Sequence, residues 1–156
     1  MIKIAVLSDT HNLLRPQVLE IAAGCQAIIH AGDFSRESVL DAFRPLGNIY
    51  VVRGNNDQSW AGYLKDTLRF QIGGIRFFLT HNKKDVDRRL DDVDVVIFGH
   101  SHKYFQQMID GRLWLNPGSC GYSRFGGEVT MAVMEIDENS RTWAVEKIVL
   151  PLERMQ

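Results

Sequence analysis

Hydrophobic positions in this chain come in short runs, and most runs empty into a polar turn. Ile2 to Leu7 is a strand-sized apolar run followed by Ser8-Asp9-Thr10-His11-Asn12. Pro16 suits a first helical position; Val18, Leu19, Ile21 and Ala22 follow, and Gly24 supplies the stop. Ala27-Ile28-Ile29-His30 is again strand-like and ends at Gly32-Asp33. Ser35 is placed to cap a second helix carrying Val39, Leu40, Ala42 and Phe43, which Pro45 and Gly47 close. Ile49-Tyr50-Val51-Val52 predicts a third strand, running into Gly54-Asn55-Asn56-Asp57.

The second half changes character. Residues 68–72 and 75–79 flank Gly73-Gly74, a hairpin signature. Residues 85–90 predict a short helix and 93–98 a buried strand ending at Gly99-His100-Ser101-His102. Only strand-like pieces follow: 105–109 and 112–115 around Asp110-Gly111, then 129–136 and 142–149 around Glu138-Asn139. Early strand-helix alternation and late hairpins predict an α/β protein with a mixed sheet or two packed sheets. No repeat or linker interrupts the chain, so residues 1–156 are expected to form a single domain.

Composition narrows the function classes. The chain is 45% hydrophobic and 24% charged, a globular balance that excludes disorder. Its longest apolar runs, such as Val95-Val96-Ile97-Phe98, fall far short of the ~20 residues a membrane helix needs. The first run passes straight into Ser8-Asp9, so no secretory leader is expected. Cys25 and Cys120 lack a CxxC context and suit a reducing cytoplasm better than a disulfide framework. A net charge of −1 gives no global pull toward nucleic acid or membrane. Lys83, Lys84, Arg88 and Arg89, interleaved with Asp85, Asp87, Asp91 and Asp92, have the pattern of a solvated helix face, with no strong nucleic-acid footprint.

What stands out is where the metal-ligand residues fall. Asp9 and His11, Asp33, Asn55, His81, and His100 and His102 each follow a strand-like run. In open α/β sheets, sites gather beyond the carboxyl ends of the strands, so residues this far apart in sequence can converge. Asp9/His11 and His100/His102 are spaced i, i+2, which in an extended segment turns both side chains of a pair the same way. Four of the five histidines occupy these turns; His30, inside a strand, has the pattern of a structural residue supporting the Asp33 turn. Imidazoles mixed with carboxylates, without thiolates, suit Mn, Fe, Co, Ni or Zn in a catalytic site.

The motifs Asp9-Thr10-His11, Gly32-Asp33, Gly54-Asn55-Asn56-Asp57, Thr80-His81 and Gly99-His100-Ser101-His102, followed by Asn116-Pro117-Gly118-Ser119, resemble the calcineurin-like metallophosphoesterase superfamily. The short chain looks like its small bacterial and archaeal phosphodiesterase branch. The resemblance implies an α/β/β/α sandwich of two mixed sheets flanked by helices. It also implies two divalent transition-metal ions, manganese favoured. Asp9, His11 and His102 would hold the first ion, Asn55, His81 and His100 the second, and Asp33 would bridge them. Asp9, Asp33, Asn55 and His100 are the expected catalytic positions. Two divalent ions bring four positive charges against two carboxylates, so the site would stay about two charges positive and attract a small phosphodiester. Ions about 3.5–4 Å apart can share a water, lower its pKa toward ~7 and aim the resulting hydroxide at phosphorus.

Two positions depart from the family pattern. Asn56 stands where His is common, and an amide cannot protonate a leaving group near neutral pH, help typically worth ~10²–10⁴-fold. Asn82 follows His81 where Gly is usual. Among the remaining residues, Arg53 and Arg124 are candidates to hold phosphate, although surface charges are the simpler reading. Cys120 is a small buried or turn residue whose thiol would be reactive beside a metal cleft, and Trp60, Tyr63, Trp114 and Tyr122 serve either packing or stacking. The competing reading is a non-catalytic protein-binding scaffold of the same fold, as in the retromer small subunit. Self-association is left open.

Overall fold

In the computed structural model, which describes residues 1–123 and 127–151, the early alternation becomes β1 (Ile2–Leu7), α1 (Pro16–Ala23), β2 (Ala27–His30), α2 (Glu37–Phe43) and β3 (Asn48–Val51). Then come β4 (Thr67–Ile72), β5 (Ile75–Thr80), β6 (Val95–Ile97), β7 (Tyr104–Ile109), β8 (Arg112–Pro117), β9 (Thr130–Asp137) and β10 (Thr142–Val149). They form two mixed five-stranded sheets, ordered β10-β9-β1-β2-β3 and β4-β5-β6-β8-β7. β1, β2 and β3 run parallel in the first, and β5, β6 and β8 in the second. Antiparallel hairpin strands complete both sheets.

Side-chain alternation stacks the sheets. Ile4 and Val6 of β1 meet Phe77 and Leu79 of β5 and Val95 and Ile97 of β6 in the layer between them. Ala5 and Leu7, on the other face of β1, pack with Val18 and Ala22 of α1 and Leu40 and Phe43 of α2. Phe78 and Val96 do the same on the outer face of the second sheet, beneath Leu90, Val93 and Phe98. The β4–β5 turn falls at Gly73 (φ 57°) and Gly74 (φ 82°), the pair of positive φ angles that a two-residue hairpin of matching twist requires.

Two expected features take other forms. Ser35 does not cap α2; Arg36 occupies that position without a side-chain cap, and Ser35 itself sits at φ 68° with its hydroxyl 3.4 Å from His11 Nδ1. Residues 85–90 are not an α-helix: a 3-10 turn at Lys83–Asp85 gives way to an irregular segment. Tertiary contacts explain it. Arg69 bonds Asp87 and Asp92 and also takes the Arg89 carbonyl, fixing the segment in a non-helical path against the sheet. The Lys83 ammonium lies 5.4–5.9 Å from the Phe98, Phe105 and Trp114 ring centres. The charged side chains are exposed, as a solvated face requires, but the backbone that carries them over the second sheet is not helical.

Phe77 is 1% exposed at the centre of the inter-sheet layer. Phe77→Ala should cost about 3–5 kcal/mol of unfolding free energy, measured as a lowered urea midpoint at unchanged slope.

Candidate metal centre

The turns after β1, β2 and β3 in one sheet, and after β5 and β6 in the other, meet at one end of the sandwich. Asp9 is fully buried, Asp33 is 1% exposed and His81 5%. Asp9 Oδ1 lies 3.3 Å from His102 Nε2 and 3.9 Å from His81 Nε2. Asp33 Oδ2 lies 3.2 Å from His81 Nε2 and 3.9 Å from His11 Nε2. The two carboxylates therefore straddle two overlapping donor groups, Asp9-His11-His102 and Asp9-Asp33-His81, each with its ligand atoms within 4.8 Å of one another. Asn55 and His100 sit at the exposed rim, paired through His100 Nδ1 and Asn55 Oδ1 at 3.2 Å, with the His100 ring 5.3 Å from that of His81.

Backbone conformation makes this convergence possible. Asp9, His11, Asp33, His100 and His102 all have φ between 50° and 75°, the left-handed region that residues other than glycine seldom occupy. Such strain persists only where surroundings impose it, and it clusters at functional sites. The i, i+2 pairs thus reach the centre through left-handed turns, not through strand alternation, because both lie past their strands' last residues.

Each loop is tied in place. Asp57, 8% exposed, accepts four backbone N–H groups: Asp33 (3.0 Å) and Gly54 (2.8 Å) at Oδ2, Phe34 (2.7 Å) and Ser35 (2.9 Å) at Oδ1. Asp9 Oδ2 accepts from Ser8 Oγ (2.6 Å) and from the His100 N–H (3.1 Å), joining the sheets. A side chain at Gly99 would collide with Ser8 Oγ, so that approach requires glycine. Asn116 Nδ2 donates to the Gly99 carbonyl and Ser101 Oγ, and Ser119 Oγ donates to the Asp9 carbonyl, so the Asn116–Ser119 turn does border the centre. His30 is supporting: the Gly32 N–H donates to its Nδ1, leaving the Nε2 proton to Thr10 Oγ1 at 3.1 Å.

Asp57 carried no role in the sequence beyond its motif. Its signal was position, three residues after Gly54, where a carboxylate can close a turn on its own backbone. Cys120 is the small buried residue expected, and its thiol is not a reactive one: it is fully buried and donates to the Ser8 carbonyl, and burial pushes its pKa up to about 12. Arg53 is engaged with Asp66, and Arg124 lies outside the described residues. Trp60 bonds the Ser35 carbonyl and Trp114 packs on the outer sheet face, whereas Tyr122 lines a cavity beside His102.

The electrostatics fit a cation. Burial raises the Asp33 pKa, but His81, the Asn56 N–H and His11 outweigh it and hold the carboxyl at about 2. Burial lowers the His81 pKa, and the Asp33 and Asp9 carboxylates reverse this to a net rise. His81 Nδ1 donates to the Ala31 carbonyl at 2.7 Å, which aims Nε2 at the two carboxylates. Asp9 Oδ1, His81 Nε2 and His102 Nδ1 are buried without a hydrogen-bond partner among the described residues. Native interiors seldom leave such atoms unsatisfied, and two of these three face the same point between Asp9 and Asp33. A divalent ion at that point would satisfy Asp9 Oδ1 and His81 Nε2.

A family model for the calcineurin-like phosphoesterase superfamily domain matches residues 2–139. A phosphodiesterase of Methanocaldococcus jannaschii is 30% identical over 159 aligned positions, covering 87% of this chain and 94% of the relative. A solved archaeal phosphodiesterase superposes with a TM-score of 0.75 at 30% identity over 95% of this chain and 99% of its own. Zinc-bound Vps29 from Entamoeba histolytica superposes with a TM-score of 0.74 at 25% identity, over 94% and 98%. Among the described residues, no helix is long and apolar enough to cross a membrane.

Replacing Asp57 by Ala strands four N–H groups and should destabilise the protein by at least ~3 kcal/mol in denaturant titrations, because hydrogen bonds to charged groups contribute ~1.5–3 kcal/mol each. His30 governs part of the acid response. Burial holds its pKa down at about 3, so the unfolded chain takes up a proton that the folded chain refuses. Its contribution to stability is intact above pH ~6.5 and is lost toward pH 3 at up to ~1.4 kcal/mol per unit. His30→Gln should flatten the slope of unfolding free energy against pH between 6 and 4, whatever its cost at pH 7.

Proposed function

The chain belongs to the calcineurin-like phosphoesterase superfamily, and from that premise we propose that it is a phosphodiesterase working with two divalent transition-metal ions. Manganese is favoured; nickel, iron, cobalt and zinc suit the same nitrogen and oxygen donors. Asp9, His11 and His102 would hold one ion, and Asn55, His81 and His100 the other, with Asp33 between them. The observation that carries this is the pair of orphaned buried atoms, Asp9 Oδ1 and His81 Nε2, turned toward Asp33. When bound, the ions supply Lewis acidity toward the phosphoryl oxygens and lower the pKa of a shared water that serves as nucleophile.

The chain's own contribution is placement. Asp9 is fixed by Ser8 and the His100 N–H, Asp33 by Asn56 and by the Asp57-held loop, and His81 by the Ala31 carbonyl. Asn56 donates both its N–H and its amide to Asp33, so it orients that carboxylate and cannot protonate a leaving oxygen. Diesters with good leaving groups are the favoured substrates. Both thiols are buried, which accords with a cytoplasmic setting.

Purified protein should take up close to two metal ions per chain and hydrolyse bis-p-nitrophenyl phosphate with Mn²⁺ or Ni²⁺. Asp33→Ala and His100→Ala should each lower the rate by more than the ~10–100-fold typical of a supporting residue, with circular dichroism unchanged. Full metal loading without hydrolysis of any diester would favour the non-catalytic scaffold instead.

A further inference from the structure

A cavity of about 650 Å³ opens directly beside His102 and Ser119, lined from the loop after β6, the β8–β9 connection and β10. That volume lies in the range of sites that enclose small organic ligands, roughly 300–1,000 Å³. Tyr122, 54% exposed, lines it, and the backbone at Gly121 and Tyr122 is tied down. Ser119 Oγ bonds the Tyr122 carbonyl, and Arg15 Nε bonds that of Gly121. Among the described lining residues, Lys147 is paired with Glu128 at 2.8 Å and lies 5.1 Å over the Tyr104 ring. Lys103, at the lip next to His102, makes no ion pair among the described residues.

We propose that this cavity seats a flat aromatic substituent of a phosphate ester, a nucleoside, stacked on Tyr122 while Lys103 faces the phosphate. The proposal rests on the phosphoesterase reading of the adjoining centre and names its substrate class. An exposed ring whose own backbone carbonyl is held offers a stacking surface at little ordering cost. With Lys147 already neutralised by Glu128, the described lining around it suits an uncharged base and ribose better than a second phosphate. The neighbouring cavities do not compete for the aromatic group. The one beside His81 is lined by Asp57, Asp66 and Asp85, and its Arg53 is occupied by Asp66. In the one beside His100, the Lys83 ammonium already covers Phe98 and Phe105.

Calorimetric titration of the Mn²⁺-loaded protein with thymidine 5′-monophosphate and with methyl phosphate isolates the nucleoside, since both ligands carry the same phosphate. The nucleotide should bind roughly five- to hundredfold more tightly, the usual range for one stacked base. Tyr122→Ala should collapse that ratio toward one, and Tyr122→Phe should keep it. Equal affinities, no binding of either ligand, or a ratio that survives Tyr122→Ala would overturn the proposal. Hydrolysis of bis-p-nitrophenyl phosphate, measured in parallel, tests the other reading separately. Nucleotide preference without hydrolysis leaves the subsite standing and the phosphoesterase reading fallen; hydrolysis without preference does the reverse.

Discussion

Asp9 and Asp33 are buried on either side of one imidazole, that of His81, and neither can be moved without the other sensing it. Two carboxylates this close, in a site that excludes most water, repel each other and are costly to desolvate. The surrounding structure offsets that cost with donors. The His100 N–H and Ser8 serve Asp9, Asn56 serves Asp33, and the buried Asp57 locks the Asp33 loop through four further N–H groups. What remains unsatisfied, Asp9 Oδ1 among it, faces inward. The left-handed turns, the crowding of Gly99 against Ser8 and the neutral His30 all keep these groups in place.

Much of the scaffold was legible in the residues because period and punctuation agree there. β1, β2 and α1 fall where the apolar runs, Pro16 and Gly24 place them, and the β4–β5 hairpin turns on its glycine pair. The failures have a common cause. Ser35 has the chemistry of a helix cap, yet the Asp57 carboxylate claims its N–H and holds it left-handed. Residues 85–90 have helical spacing, yet Arg69 reaches in from β4 and takes a carbonyl. In both, a partner distant in sequence outbids a local preference, and single-chain patterning does not contain that partner.

The site shows the same division. The candidate ligand positions were visible because their residue types recur at strand ends and match a family's ordered motifs. Their geometry was not: the i, i+2 spacing suggested side chains aligned along a strand, whereas left-handed backbone does the aligning. Asn55 and His100 also emerged on the rim, outside the buried donor groups. Asp57 escaped notice because its work is done on backbone amides, which leave no trace in side-chain composition. Asn56 changes meaning once its contacts are known: standing where His is common in the wider superfamily, it steadies Asp33.

The donors are shared between the sheets, Asp9, His11, Asp33 and Asn55 from one and His81, His100 and His102 from the other. A cation held across that seam binds only while both sheets are docked, so its binding free energy adds to that of folding by mass action. Occupancy would then add to stability, and a chain without its cation would be the more open to proteolysis.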